Sequence, residues 1–128
     1  MRFELLLDRV LDDGRLVVIN SSNYGHRAGP EHFGLVVSGA FNVLLGIEFT
    51  ELVARQSADD NALAQSGSER VSLKLSEIEF FRTMADSILA GHNAAIRLEG
   101  DGMDLVRQRL TSKSKDIHLY LVANGAET

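Results

Sequence analysis

Short apolar runs that alternate at every second residue, each ended by a turn within a few residues, constrain this chain more than any other feature. Val71, Leu73 and Leu75 alternate with Ser72, Lys74 and Ser76, and Ile117, Leu119 and Leu121 alternate with His118, Tyr120 and Val122. A period of two puts one set of side chains on one face of a strand. Phe3, Leu5 and Leu7 open the chain in the same way and lead to Asp12-Asp13-Gly14. That Asp-Gly step is a strong hairpin signal, because glycine takes positive φ without a Cβ clash. Leu16-Val17-Val18-Ile19 follows as a β-branched strand, Phe33 to Val37 reads as a third, and Ala94 to Leu98 as another, ended by Glu99-Gly100-Asp101-Gly102. Many short strands and few helices predict a mostly β protein, folded as a small antiparallel β-barrel.

The length of 128 residues fits one domain with a core of its own. Zero cysteines exclude a disulfide framework, zinc ribbons, iron–sulfur clusters and a cysteine nucleophile. The longest apolar stretches, Leu16–Ile19 and Leu119–Ala123, are far too short for a membrane-spanning helix. Charges bracket the apolar run of the N-terminus, which therefore does not read as a secretory signal, and a cytoplasmic protein is expected.

Residues 40–68 read differently. Phe41, Leu44, Leu45, Phe49, Leu52 and Val53 recur at helical spacing, whereas Phe41, Val43, Ile47 and Phe49 are good strand residues with Gly46 among them. Helix and strand are both open for 41–54. From Gln56 to Ser68 the chain is polar and small. The expected organisation is a barrel core over 3–39 and 69–123, with an insertion or mobile loop over 40–68 in which a helix near 41–66 is one of the two open alternatives. Met103 to Leu110 reads as irregular or a single helical turn.

Three stretches carry a resemblance. They are Glu77-Ile78-Glu79-Phe80-Phe81-Arg82, then Ala90-Gly91-His92-Asn93-Ala94-Ala95-Ile96-Arg97-Leu98, then Asp104-Leu105-Val106-Arg107-Gln108-Arg109-Leu110. Together they resemble the second domain of elongation factor Tu, a small antiparallel barrel shared by translational GTPases. The opening from Phe3 to Val18, around Gly14-Arg15, is similar to that barrel's first hairpin. Gln108 stands where the family has a glycine. The resemblance covers about half of the chain and implies a stand-alone binding barrel. It also implies that His92 sits where such barrels approach the aminoacyl end of tRNA.

A nucleotide cycle is not expected. None of Lys74, Lys113 and Lys115 follows a glycine, so no phosphate loop is present, and Gly100-Asp101-Gly102 would set acids where phosphates belong. The histidines His26, His32, His92 and His118 are the candidates for acid–base work at neutral pH. His26 and His32 flank Gly29-Pro30 but match no standard ligand spacing, and they read as surface loop residues. The acid pairs Asp12-Asp13 and Glu77 with Glu79 lack any feature that would raise a carboxyl pKa for catalysis. No enzyme, metal or cofactor is therefore expected.

Two binding surfaces are. The formal charge of −5, from 18 acids and 13 bases, suits a basic protein partner met through Asp12, Asp13, Glu77 and Glu79. A small acidic immunity or antitoxin-like protein that neutralises a toxin is one form of that reading. The other surface is the basic stretch Arg107, Arg109, Lys113 and Lys115, joined by His92, which would contact RNA phosphates at a tRNA acceptor end.

Overall fold

The Asp-Gly turn folds as its sequence implies. The Gly14 amide donates to the Leu11 carbonyl at 2.9 Å and the Leu11 amide to the Arg15 carbonyl at 2.8 Å. This turn joins β1 (Arg2–Val10) to β2 (Leu16–Ile19) as an antiparallel pair. A computed structural model describes residues 2–20, 36–37, 42–57, 63–89 and 91–124. The remaining strands are β3 (Val36–Val37), β4 (Val43–Leu44), β5 (Glu48–Ser57), β6 (Leu63–Phe80), β7 (Thr83–Ala85), β8 (Ser87–Ile88), β9 (Asn93–Asp101) and β10 (Ile117–Asn124), with one helix, α1 (Met103–Ser112).

Six of these strands close on themselves in the order β1–β2–β9–β6–β5–β10 and back to β1, every neighbouring pair antiparallel. The expected small β-barrel is thus the observed fold. Closure gives each of those six strands a neighbour on both sides. β1 serves two neighbours along its length: Arg2 to Leu6 face β10, and Leu6 to Val10 face β2. β3 runs parallel to β1 beside Arg2 and Phe3, and β4 pairs with β8 in a separate two-stranded ribbon.

The interior is filled by side chains, as a barrel of this size requires. Leu5, Leu7, Leu16, Val18, Phe49, Leu73, Leu75, Ile78, Ile96 and Leu121 are all buried within one core. Two steps of the alternation are longer than two residues. Phe49 and Leu52, and likewise Leu75 and Ile78, both reach the core although they stand three positions apart. Each coincides with a shift of strand register, between Phe49 and Glu51 and between Leu75 and Glu77. Such irregularities bend long strands, and they let the 18-residue β6 turn from β5 to β9.

This corrects the reading of 40–68. Residues 42–57 and 63–68 form strands and a tight turn, not a helix, and they supply β5 and the start of β6 to the barrel itself. The helical spacing of Phe49, Leu52 and Val53 arises because the register shift changes the phase of a strand that is buried on both faces. The helix lies elsewhere, over Met103–Ser112, longer than the single turn expected. Val106 and Leu110, one turn apart, are buried, and α1 packs against β1 and β9. The predicted strand residues 33–35 lie outside the described residues.

Gly100 fixes how β9 meets β6. Its φ is +132°, and a Cβ there would stand 2.1 Å from the Ser72 carbonyl oxygen. Only glycine fits this crossing.

One charged pair is buried on the outward side of the barrel wall. Arg55 of β5 donates to both carboxylate oxygens of Glu4 of β1, at 2.6 and 3.2 Å, and its guanidinium lies 5.8 Å from the ring centre of Tyr120 on the strand between them. Glu4 is 1% exposed and Arg55 3%. The guanidinium fork matches the carboxylate in two parallel bonds, the geometry that makes such burial tolerable.

Candidate functional site

The four acids expected to meet a basic partner are placed as follows. Asp13 accepts from the Arg15 backbone amide at 3.1 Å and from its guanidinium at 2.8 Å, and these bonds hold the Asp13 carboxyl below its ordinary pKa. Glu79 is the second partner of Arg15, whose pKa is raised, first by Glu79 and then by Asp13. Glu77 is bonded to Arg97 across β6 and β9 at 3.2 Å. Asp12 is exposed in the turn. Three of the four are therefore engaged within the chain, and a basic partner would compete with Arg15 and Arg97.

The basic stretch is engaged too. Arg107 donates to the Gly14 carbonyl at 3.2 Å and pins α1 to the β1–β2 turn. Arg109 donates to both oxygens of Glu69 at 2.6 and 3.0 Å, which lowers the Glu69 pKa and raises that of Arg109. Arg107 and Arg109 thus fasten the helix to the barrel. Lys113 and Lys115 make no ion pair among the described residues. The stretch lies on α1 and its C-terminal turn rather than along a strand edge.

His92 is on the turn between β8 and β9, held by Asn20. The buried Asn20 side chain donates to the Ile88 carbonyl at 3.1 Å, its amide to the His92 carbonyl at 2.8 Å, and its own carbonyl accepts from Gly91 at 2.6 Å. The His92 ring lies 5.2 Å from Phe80, and Phe80 lies 4.4 Å from Phe81. His92 therefore belongs to an aromatic cluster some way from Arg107 and Arg109 in sequence and on different elements. His26 and His32 lie outside the described residues. Among the described residues, no three His, Asp or Glu side chains gather in a way that would hold a metal.

The feature that sequence reasoning passed over is the β6–β7 turn. Phe80 pairs with Thr83, so Phe81 and Arg82 are the two loop residues, and both have positive φ, 52° and 63°. Two-residue hairpins with this backbone ordinarily carry Asn-Gly or Asp-Gly, because a side chain in the left-handed region costs energy. Here a phenylalanine occupies the first position and is 86% exposed. Leu44, Leu45, Met84 and Leu89 are also large, apolar and exposed. They sit on β4, β7 and β8 and the residues next to them, tied together by the β4–β8 pairing and the Leu45 amide bond to the Asp86 carbonyl at 2.8 Å. The available signal was the adjacency of Phe80 and Phe81: two neighbouring strand residues cannot share a face.

A shallow hollow beside this turn is lined by Phe80, Phe81 and Arg82 together with Arg9, Arg15 and Asn93. Among the described residues, no helix is long and apolar enough to cross a membrane. Comparison with known proteins leaves the reading to the geometry, since no family model, no curated protein and no solved structure matches the chain.

Proposed function

We propose that the protein is a non-catalytic binding barrel that docks a protein partner through the β6–β7 turn and the apolar surface around it. The observation that carries this reading is Phe81, an almost fully exposed aromatic on a turn whose backbone disfavours it. Strained backbone persists where surrounding structure holds it and function requires it. Exposed aromatics beside arginine are the residue types that anchor protein interfaces. Arg82 supplies the cation, and Met84 on the strand that leaves the turn adds a further exposed apolar side chain. The engaged state of Asp13, Glu77 and Glu79 favours this apolar surface over the acidic one as the centre of contact. A toxin-neutralising role of the immunity or antitoxin kind is one case of such docking.

The test is site-directed photocrosslinking in cells, with a benzophenone side chain at position 81 and a control at the exposed Glu99 of β9. Docking predicts a discrete protein adduct from position 81 that is missing from position 99. No adduct, or the same adducts from both positions, would sink the proposal.

A second reading rests on the bases beside the same turn. Phe81 and His92 provide faces for stacking, and Arg9, Arg15 and Arg82 line the neighbouring hollow. Aromatics interleaved with bases suit the unpaired end of an RNA. It predicts tRNA binding that weakens steeply with salt and is lost in Arg82→Glu, read by a mobility shift at low salt.

A further inference from the structure

Ala54 of β5 and Gly67 of β6 are cross-strand partners, side by side in the barrel wall. These two small residues leave a hollow of about 350 Å³ between the wall and the C-terminal end of α1. Leu52, Ala54, Ile117 and Leu119 line it with hydrocarbon, and Glu69, Arg109 and Lys113 stand at it with charges. It shares no residue with the surface around Phe81.

The size fits the lower range of small-molecule sites. Glycine weakens a strand interior, and one found there marks a bulge or a place where something approaches closely. A Cβ added to Gly67 would meet only the Ala54 Cβ, at 4.0 Å, so the backbone does not enforce the hollow. A larger side chain at 67 would fill it. The charges then define what could occupy it. Arg109 and Glu69 neutralise each other through two hydrogen bonds. Lys113 makes no ion pair among the described residues and remains one full positive charge. The C-terminal end of α1 opposes it with roughly half a charge, so the positive sign prevails.

We propose that this hollow binds an amphipathic organic monoanion: a carboxylate paired with Lys113, carried on an apolar body of roughly ten carbons that lies over Leu52, Ala54, Ile117 and Leu119.

Decanoate titrated into the full chain, followed by backbone amide NMR, tests this, with decyltrimethylammonium and decanol as probes of the same tail but other charge. Decanoate is expected to give saturable shifts at Gly67, Ser68, Ser112 and Lys113 and to bind about tenfold more tightly than the cation, as one charge-assisted contact implies. Lys113→Gln weakens decanoate by about the same factor with an unchanged thermal midpoint. Gly67→Leu removes binding, and Ala54→Val provides a milder filling if Gly67→Leu does not fold. Absence of saturable shifts, equal binding of the three probes, or undiminished affinity in Lys113→Gln would each overturn the proposal. Undiminished affinity in the folded filling variant would also overturn it, by showing that Gly67 serves only the register shift beside it.

Discussion

Phe81 and Arg55 show, at the scale of single residues, two ways in which this barrel departs from what stability alone would choose. Arg55 is held under cover by its two bonds to Glu4, and removing one member of such a pair takes that counter-charge away from the other, which stays buried. Arg55→Met is expected to destabilise the protein by about 3–5 kcal/mol. The double change Arg55→Met with Glu4→Leu should recover most of that loss, since both buried charges are then removed together. Urea titration of the three variants checks this. Phe81 and Arg82 pay in backbone conformation, on the order of 1 kcal/mol each. Asn-Gly in their place should therefore raise stability.

Among the elements, α1 and β9 carry the sharpest consequences. Gly100→Ala would drive a Cβ into the Ser72 carbonyl, in a backbone region that L-residues avoid, and should prevent the native pairing of β6 and β9. Loss of amide dispersion in NMR spectra would report it. The helix is fastened by Glu69–Arg109, and that bond keeps the Glu69 carboxyl below its ordinary pKa of 4.5. A carboxyl depressed on folding stabilises the protein above its unfolded pKa, and the contribution disappears as pH falls toward the folded value. Stability should thus decline as pH drops below about 4.5. Asp13 and Asp116, held low by Arg15 and by Ser114 and Gln56, act in the same direction. Glu69→Gln should flatten part of that decline, measured by thermal unfolding across pH.

Element type was legible wherever the apolar residues alternated or formed a short β-branched run. Leu16–Ile19, Val71–Leu75, Ala94–Leu98 and Ile117–Leu121 are strands in the barrel. It was not legible in Phe49–Val53, where a register shift and burial on both faces gave a strand the spacing of a helix. Nor did α1 show itself fully, because its buried face rests on Val106 and Leu110, with Met103 and Leu105 only partly covered. The candidate site was less legible than the fold. Charge in the sequence pointed to Glu77, Glu79, Arg107 and Arg109, but pairing between distant elements decides which charges are available. Arg97, Arg15, Gly14 and Glu69 engage them. The φ values of Phe81 and Arg82 follow from hairpin geometry, and no local residue preference announces them.

The whole molecule is a closed, side-chain-filled barrel, and among the described residues the two non-glycine positions with positive φ, Phe81 and Arg82, both lie in one hairpin turn. Closure gives it a rigid platform, and rigid platforms hold contact residues at little entropic cost. The account's central claim is that the β6–β7 turn keeps an unfavourable backbone because Phe81 docks a partner. The most direct measurement follows Phe81→Asn with Arg82→Gly in two readouts, the thermal midpoint and the crosslinking yield from a benzophenone at position 84. Docking predicts opposite signs: a midpoint raised by roughly 6–12 °C and loss of the adduct. An undiminished adduct, or a midpoint that falls, would contradict it.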